Sequence, residues 1–137
     1  MPPLIIRHRD GTTETHPDPR PLADQQATAL AELAERRRAA LESIAWEGGR
    51  LAADDKSRQR LADQIEAMGA GQGSVNWRLA DGVYLAMNRG QLQAARAAMQ
   101  AHLRDCFEVE AGLAAQIMAA ETAADLDALD LTAGWPG

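Results

Sequence analysis

The sequence predicts an α+β fold in which two or three small antiparallel β-hairpins pack against a long C-terminal helix and shorter helices. Three observations predict this class. Asp-Gly and Gly-Gly pairs lie between β-branched or apolar residues, apolar residues elsewhere recur at three- and four-residue steps, and helix-capping residues precede those repeats. With 137 residues, the chain is expected to form one domain, or one compact domain with an N-terminal appendage.

Three segments have the pattern of a β-hairpin. Residues 4–16 centre on Asp10-Gly11, a two-residue turn signal flanked by isoleucines and threonines. The second hairpin is marked by the Gly-Gly pair at residues 48–49, which follows residues 44–46 and one glutamate. Residues 75–79 and 83–85 flank an Ala-Asp-Gly turn and form the third, and alternation places every second residue of its first strand on one face.

Apolar periodicity predicts four helices, each preceded by polar residues suited to its start. The helices are expected at about residues 23–42, 56–68 and 88–120, with a short one beginning at Thr122. Asp54 or Asp55 is the expected cap of the second helix, a role for paired carboxylates that is commoner than catalysis or cation binding. Asn88 with Gln91, and Thr122 with Asp125, have the spacing of capping boxes.

These elements divide the chain into four segments. Residues 1–21 form an N-terminal β-hairpin and a proline-rich linker, and residues 22–42 form a connecting amphipathic helix. Residues 43–131 form a compact α+β domain, and residues 132–137 form a loose C-terminal tail.

Charge and composition restrict the class of function. The net charge is −6, with 20 acidic and 14 basic residues, which is opposite to the balance of nucleic-acid-binding proteins. No window approaches the roughly 18 apolar residues of a membrane span, so no membrane insertion is expected. The first residues lack the apolar core of a signal peptide, and a single cysteine allows no internal disulfide. These features predict a protein made in the cytoplasm.

No catalytic, cofactor-binding or metal-ligating residue is predicted. His102 and Cys106 are four residues apart on one helix, but Cys106 lies in an apolar stripe and is expected to pack in the core. His8 and His16 face each other across the first predicted hairpin, yet no cluster of four metal ligands surrounds them. The protein is therefore predicted not to be an enzyme.

The apolar residues give a predicted core and a predicted partner-binding set. The core is expected to contain Trp46, Trp77, Tyr84, Leu103, Cys106, Phe107, Leu113 and Ile117. The partner-binding set is Leu30, Leu33, Arg37, Leu41 and Trp135. The leucines form a narrow helix stripe suited to helical association, and Trp135 lies in a Gly/Pro-flanked tail. That tryptophan either anchors a partner or folds back on its own domain.

An ordered set of motifs spans residues 37–130, roughly two-thirds of the chain. They are an Arg-rich helix, a strand at Ile44–Trp46, Asp55 with Ser57 at a helix start, Val75-Asn76-Trp77-Arg78 before Asp81-Gly82, His102 with Cys106-Phe107, and Ala124-Asp125-Leu126. In order and spacing this segment resembles an uncharacterised C-terminal domain family of tail fibre and tail fibre assembly proteins of tailed bacteriophages and prophages. That family has no agreed catalytic residues.

The resemblance implies a non-enzymatic structural or attachment component of a phage or prophage tail that associates with a tail fibre protein. It also implies a homo-oligomer, since fibres are commonly trimers, and a location in the virion tail. Two alternatives remain open. The first is a tail fibre assembly chaperone that binds the fibre during folding. The second is a carbohydrate-binding tip or a cryptic hydrolase.

Overall fold

A computed structural model describes residues 4–7, 13–16, 20–69 and 73–137. The described residues form six β-strands, paired as three two-stranded antiparallel sheets, and four α-helices. The strands are β1 (Leu4–Arg7), β2 (Thr13–His16), β3 (Ser43–Trp46), β4 (Gly49–Ala52), β5 (Ser74–Arg78) and β6 (Tyr84–Asn88). The helices are α1 (Leu22–Ala40), α2 (Asp55–Met68), α3 (Arg89–Ala119) and α4 (Ala123–Asp127). The predicted α+β class, with its small hairpins and long C-terminal helix, is confirmed.

The first hairpin pairs β1 with β2, with Leu4 opposite His16 and Arg7 opposite Thr13. The predicted Asp10-Gly11 turn lies outside the described residues, as do His8 and the first two prolines of the predicted linker.

The second hairpin turns one residue earlier than its Gly-Gly pair indicates. Glu47 and Gly48 occupy the two turn positions, with φ of 47° and 78°, as a type I′ turn requires. Gly49 instead begins β4, where a Cβ atom would lie 2.8 Å from the Leu79 side chain. The first glycine therefore supplies backbone conformation and the second supplies space.

The third hairpin has the predicted alternation. Val75 and Trp77 are half-buried, whereas the intervening Asn76 and Arg78 are exposed. The Ala80 N–H donates to the Arg50 carbonyl at 2.7 Å, which joins the turn of this hairpin to β4.

Side-chain caps fix the starts of three helices. The Asp54 carboxylate accepts the Ser57 N–H at 3.0 Å at the start of α2. The predicted Asn88–Gln91 capping box forms before α3, since each side chain accepts the other residue's backbone N–H at 2.8 Å. Thr122 accepts the Asp125 N–H at 3.1 Å and caps α4.

The chain divides into two compact units, with one boundary inside α1, one inside α3 and one between Ala133 and Gly134 in the C-terminal tail. The first unit contains residues 1–36 and 110–133, and the second contains residues 37–109 and 134–137. The first unit has 11 acidic and four basic residues, a net charge of −7, and the second has a net charge of +1. Every tryptophan, tyrosine and phenylalanine of the sequence belongs to the second unit.

The second unit has a continuous apolar core built from two hairpins, α2 and the first half of α3. Its buried members are Ile44, Leu51, Ala53, Leu61, Ile65, Leu79, Met87, Leu92, Ala95 and Met99. The α3 members recur at three- and four-residue steps, so they form one stripe along the helix. Trp46 and Trp77 are half-buried and pack against this core, as predicted.

In the first unit, α1 packs against the C-terminal end of α3. Leu33 and Ile117 are buried. The Gln26 side chain donates to the carbonyls of Ile117 at 3.0 Å and Ala120 at 3.2 Å. The Ile117 carbonyl also accepts the Ala120 N–H at 3.3 Å, so Gln26 adds a side-chain cap at the end of α3, where backbone donors run out.

Two residues predicted for the core are exposed, and for them the prediction is wrong. Tyr84 is 64% exposed because it pairs with the outward-facing Arg78, and the two faces of a strand alternate. Phe107 is 45% exposed because it follows the buried Cys106 directly, and successive helix residues point about 100° apart. Cys106 and Ile117 are buried as predicted, whereas Leu103 and Leu113 are half-buried.

Candidate protein-binding surface

A groove of about 520 Å³ opens in the second unit beside Phe107, and we call it the Phe107 groove. Its apolar wall consists of Leu41, Leu103 and Phe107. The Leu41 N–H donates to the Arg37 carbonyl at 3.0 Å, so the helical hydrogen-bond pattern continues one residue past α1. Residues four apart share a helix face, which brings Leu41 and Arg37 to the same groove.

Arg37 covers part of the exposed aromatic ring. The guanidinium carbon of Arg37 lies 5.4 Å from the centroid of the Phe107 ring, within the range of a cation–π contact. This contact orients the ring while leaving nearly half of the Phe107 side chain exposed. Exposed aromatic side chains beside arginines have the composition of energetically important positions in protein–protein interfaces.

The Phe107 groove is also lined by charged residues, and two of its carboxylates, those of Asp54 and Asp55, have partners. Arg58 forms an ion pair with Asp55 one helical turn away on α2. Hydrogen bonds from the Ser57 hydroxyl and N–H lower the pKa of the Asp54 carboxyl, and the nearby Arg58 and Arg60 lower it further. Asp54 is therefore ionised at neutral pH and serves as a helix cap rather than as a proton donor.

His102 and Cys106 are brought together, but not as a nucleophile and its base. The His102 Nε2 atom lies 2.6 Å from the Ala40 carbonyl oxygen and 3.5 Å from the Cys106 Sγ atom. A carbonyl oxygen only accepts hydrogen bonds, so Nε2 carries a proton and cannot take one from the thiol. Burial raises the pKa of the Cys106 thiol, and the negative charge of Asp105 raises it further. The thiol therefore stays protonated and unreactive at neutral pH.

Within the described residues, no group of three or more His, Cys, Asp and Glu side chains has the arrangement of a metal site. None of the helices in this part of the chain is both long and apolar enough to cross a membrane.

The predicted partner-binding residues separate in the structure. Arg37 and Leu41 line the Phe107 groove. Leu33 is only 1% exposed, and its prediction as a partner-binding residue is wrong because it fills the interior of the first unit. Leu30 is half-buried in the same unit.

Trp135 is half-buried in the second unit. The next two residues, Pro136 and Gly137, line a shallow pocket together with Ile44 and Ala98. The tail therefore lies along its own domain, which corresponds to the fold-back alternative for Trp135.

A further exposed apolar site was not predicted from the sequence. Val83 and Tyr84 are adjacent at the start of β6, and they are 57% and 64% exposed. Strand register explains the exposure of Tyr84, since a residue opposite the outward-facing Arg78 also points outward.

The family model described as "Domain of unknown function (DUF4376)" matches residues 24–132. The chain belongs to this family. The DUF4376 match contains β3–β6, α2, α3 and α4, nearly all of α1 and the whole Phe107 groove. It excludes the first hairpin and the residues from Ala133 onward. No curated protein and no solved structure matches the chain.

Proposed function

We propose that this DUF4376 protein is a non-enzymatic structural or attachment component of a bacteriophage or prophage tail, associated with the tail fibre. The protein-binding part of this proposal rests on the Phe107 groove, where a half-exposed aromatic ring lies beside Leu41 and Leu103. The phage setting rests on the resemblance of residues 37–130 to domains of tail fibre and tail fibre assembly proteins.

The chemistry of the most reactive-looking pair supports a binding role. Cys106 is buried with a raised pKa, and the His102 nitrogen beside it donates to a backbone carbonyl. Neither group is arranged to attack or protonate a substrate. The Phe107 groove is instead suited to an apolar or aromatic side chain of a partner, which would displace water from the ring and both leucines.

The groove is tested by binding of the full chain to the purified tail fibre protein encoded in the same phage or prophage. Phe107→Ala should weaken this binding on the order of 30-fold, since truncation of a hot-spot residue costs about 2 kcal/mol. Met118→Ala is the matched control because Met118 is 60% exposed on the same helix and lies outside the groove. Surface plasmon resonance would measure both variants.

Two outcomes would contradict this proposal in different ways. Equal affinity of wild type and Phe107→Ala would exclude the groove as the contact, while leaving fibre association intact. Absence of binding by the wild-type chain would remove the fibre association itself.

Mass spectrometry of purified particles distinguishes a permanent component from an assembly chaperone. A structural component is expected in the particles in a fixed ratio to the fibre protein. A chaperone would co-purify with the fibre from the host cytoplasm and would be missing from the particles.

Light scattering of the purified chain tests the proposed homo-oligomer, with a trimer expected from the resemblance.

A further inference from the structure

A second groove of about 340 Å³ lies wholly within the first unit, and we call it the acidic groove. Four apolar residues form part of its lining. Ile117 is fully buried there, and Leu126, Leu129 and Leu131 are half-buried. Three leucines that keep part of their surface open give this groove an apolar area for a ligand with aliphatic side chains.

The charged groups of this groove are unequal in number. Glu32, Asp127 and Asp130 line it, with Arg20 as the one cationic residue among its lining. The Arg20 guanidinium donates to the Thr28 hydroxyl at 2.8 Å. The groove therefore carries an excess of negative charge beside its apolar residues.

The three carboxylate residues are exposed to solvent. Hydrogen bonds from the Thr132 hydroxyl and N–H lower the pKa of Asp130, and Arg36 lowers it further. Glu32 lies 3.6 Å from Arg36, but both side chains are about half exposed, and such a pair is readily exchanged for another cation.

The whole first unit strengthens this local field. Its net charge is −7, and residues 110–133 contain five acidic residues and no basic one. A surface with one sign of charge attracts oppositely charged ligands over several ångströms and accelerates their association.

We infer that the acidic groove binds a basic, amphipathic peptide segment of a partner protein, with lysine or arginine ammonium and guanidinium groups at the carboxylates and aliphatic side chains on the leucines. Lysine and arginine place their methylene stems along apolar surface while their charged ends reach carboxylates, so both parts of the groove are used. A second copy of this chain is a poor occupant because its own net charge is −6. This inference does not depend on the phage-tail proposal.

The test uses the full chain and two fluorescently labelled amphipathic peptides. One peptide alternates leucine pairs with lysines, and the other replaces every lysine with glutamate. Fluorescence anisotropy should show saturable binding of the lysine peptide and no binding of the glutamate peptide. Binding of both peptides with similar affinity would overturn the inference, since it would leave only apolar adsorption.

A pair of charge-matched variants locates the binding site. Glu32→Gln with Asp127→Asn should weaken lysine-peptide binding about tenfold, because the two substitutions remove two carboxylates that pair with lysines of the peptide. The control, Glu66→Gln with Glu108→Gln, removes the same charge from exposed positions of the second unit and should leave affinity within about twofold. Equal weakening by both variants, or none by the first, would overturn the inference. If circular dichroism shows that the double variant is unfolded, Asp127→Asn alone replaces it and should also weaken lysine-peptide binding.

Discussion

At the scale of single residues, Asp54 couples the start of α2 to pH. Its carboxylate accepts a backbone N–H that the helix leaves without a partner, and the same hydrogen bonds lower its pKa below the ordinary value of 3.8. A carboxyl group whose pKa is lower in the folded state stabilises that state above its unfolded pKa. This contribution is lost as the pH falls through the folded pKa.

Asp54→Ala should therefore lower the free energy of unfolding by about 1 kcal/mol at pH 7. Asp54→Asn should retain most of the stability, since asparagine caps helices nearly as well. The difference between wild type and the alanine variant should shrink as the pH is lowered below 3.8. Urea unfolding at neutral and acidic pH measures this, and a difference independent of pH would contradict it.

The residue scale is also where sequence reasoning failed. Helical periodicity placed Leu33 and Phe107 on the apolar stripes of their helices. It does not indicate which part of a stripe another element covers. Leu33 turned out buried and Phe107 exposed, the reverse of the predicted roles. Tertiary packing decides this, and packing partners distant in sequence leave no local signal.

At the scale of elements, the capping residues and apolar repeats near each helix were sufficient to predict where the helices begin and end. The start of α3 follows its Asn88–Gln91 capping box, and α2 starts after one of the two predicted aspartates. Helix ends agree with the predicted ends to within about two residues, as expected where frayed turns blur a boundary. Such signals succeed because capping groups act within four residues along the chain.

The β3–β4 hairpin offers a test of close packing between elements. Gly49→Ala places a methyl group 2.8 Å from the Leu79 side chain, which is itself buried. The variant should lose about 1–3 kcal/mol of stability, the usual cost of overpacking. In a Leu79→Ala background the same substitution should cost little, because the clashing atom is gone. A double-mutant cycle from urea unfolding measures the coupling, and additive effects would contradict the packing explanation.

At the scale of the whole molecule, charge is distributed unevenly between the two units. No sequence pattern predicted the two main boundaries of this division, because they fall inside two continuous helices rather than at a linker. The net charges of −7 and +1 emerge only once residues 1–36 and 110–133 are assigned to the same unit. Each groove described above lies within one of these units.

This charge distribution predicts that the protein does not bind duplex DNA. Neither unit has the large excess of cations that phosphate neutralisation requires, and the acidic unit repels the backbone. A labelled duplex should show no change in anisotropy at physiological salt, with a basic DNA-binding protein as the positive control. Saturable binding that weakens with added salt would contradict the prediction.

The confinement of aromatic residues to one unit has a spectroscopic consequence. Tryptophan emission and near-ultraviolet circular dichroism arise only from the second unit, since the first contains no tryptophan, tyrosine or phenylalanine. Far-ultraviolet circular dichroism, in contrast, reports the helices of both. Melting curves recorded by the two signals will coincide only when both units unfold together. The protein thus carries its own optical label for one half of the molecule, and loss of the acidic groove alone would be invisible in fluorescence.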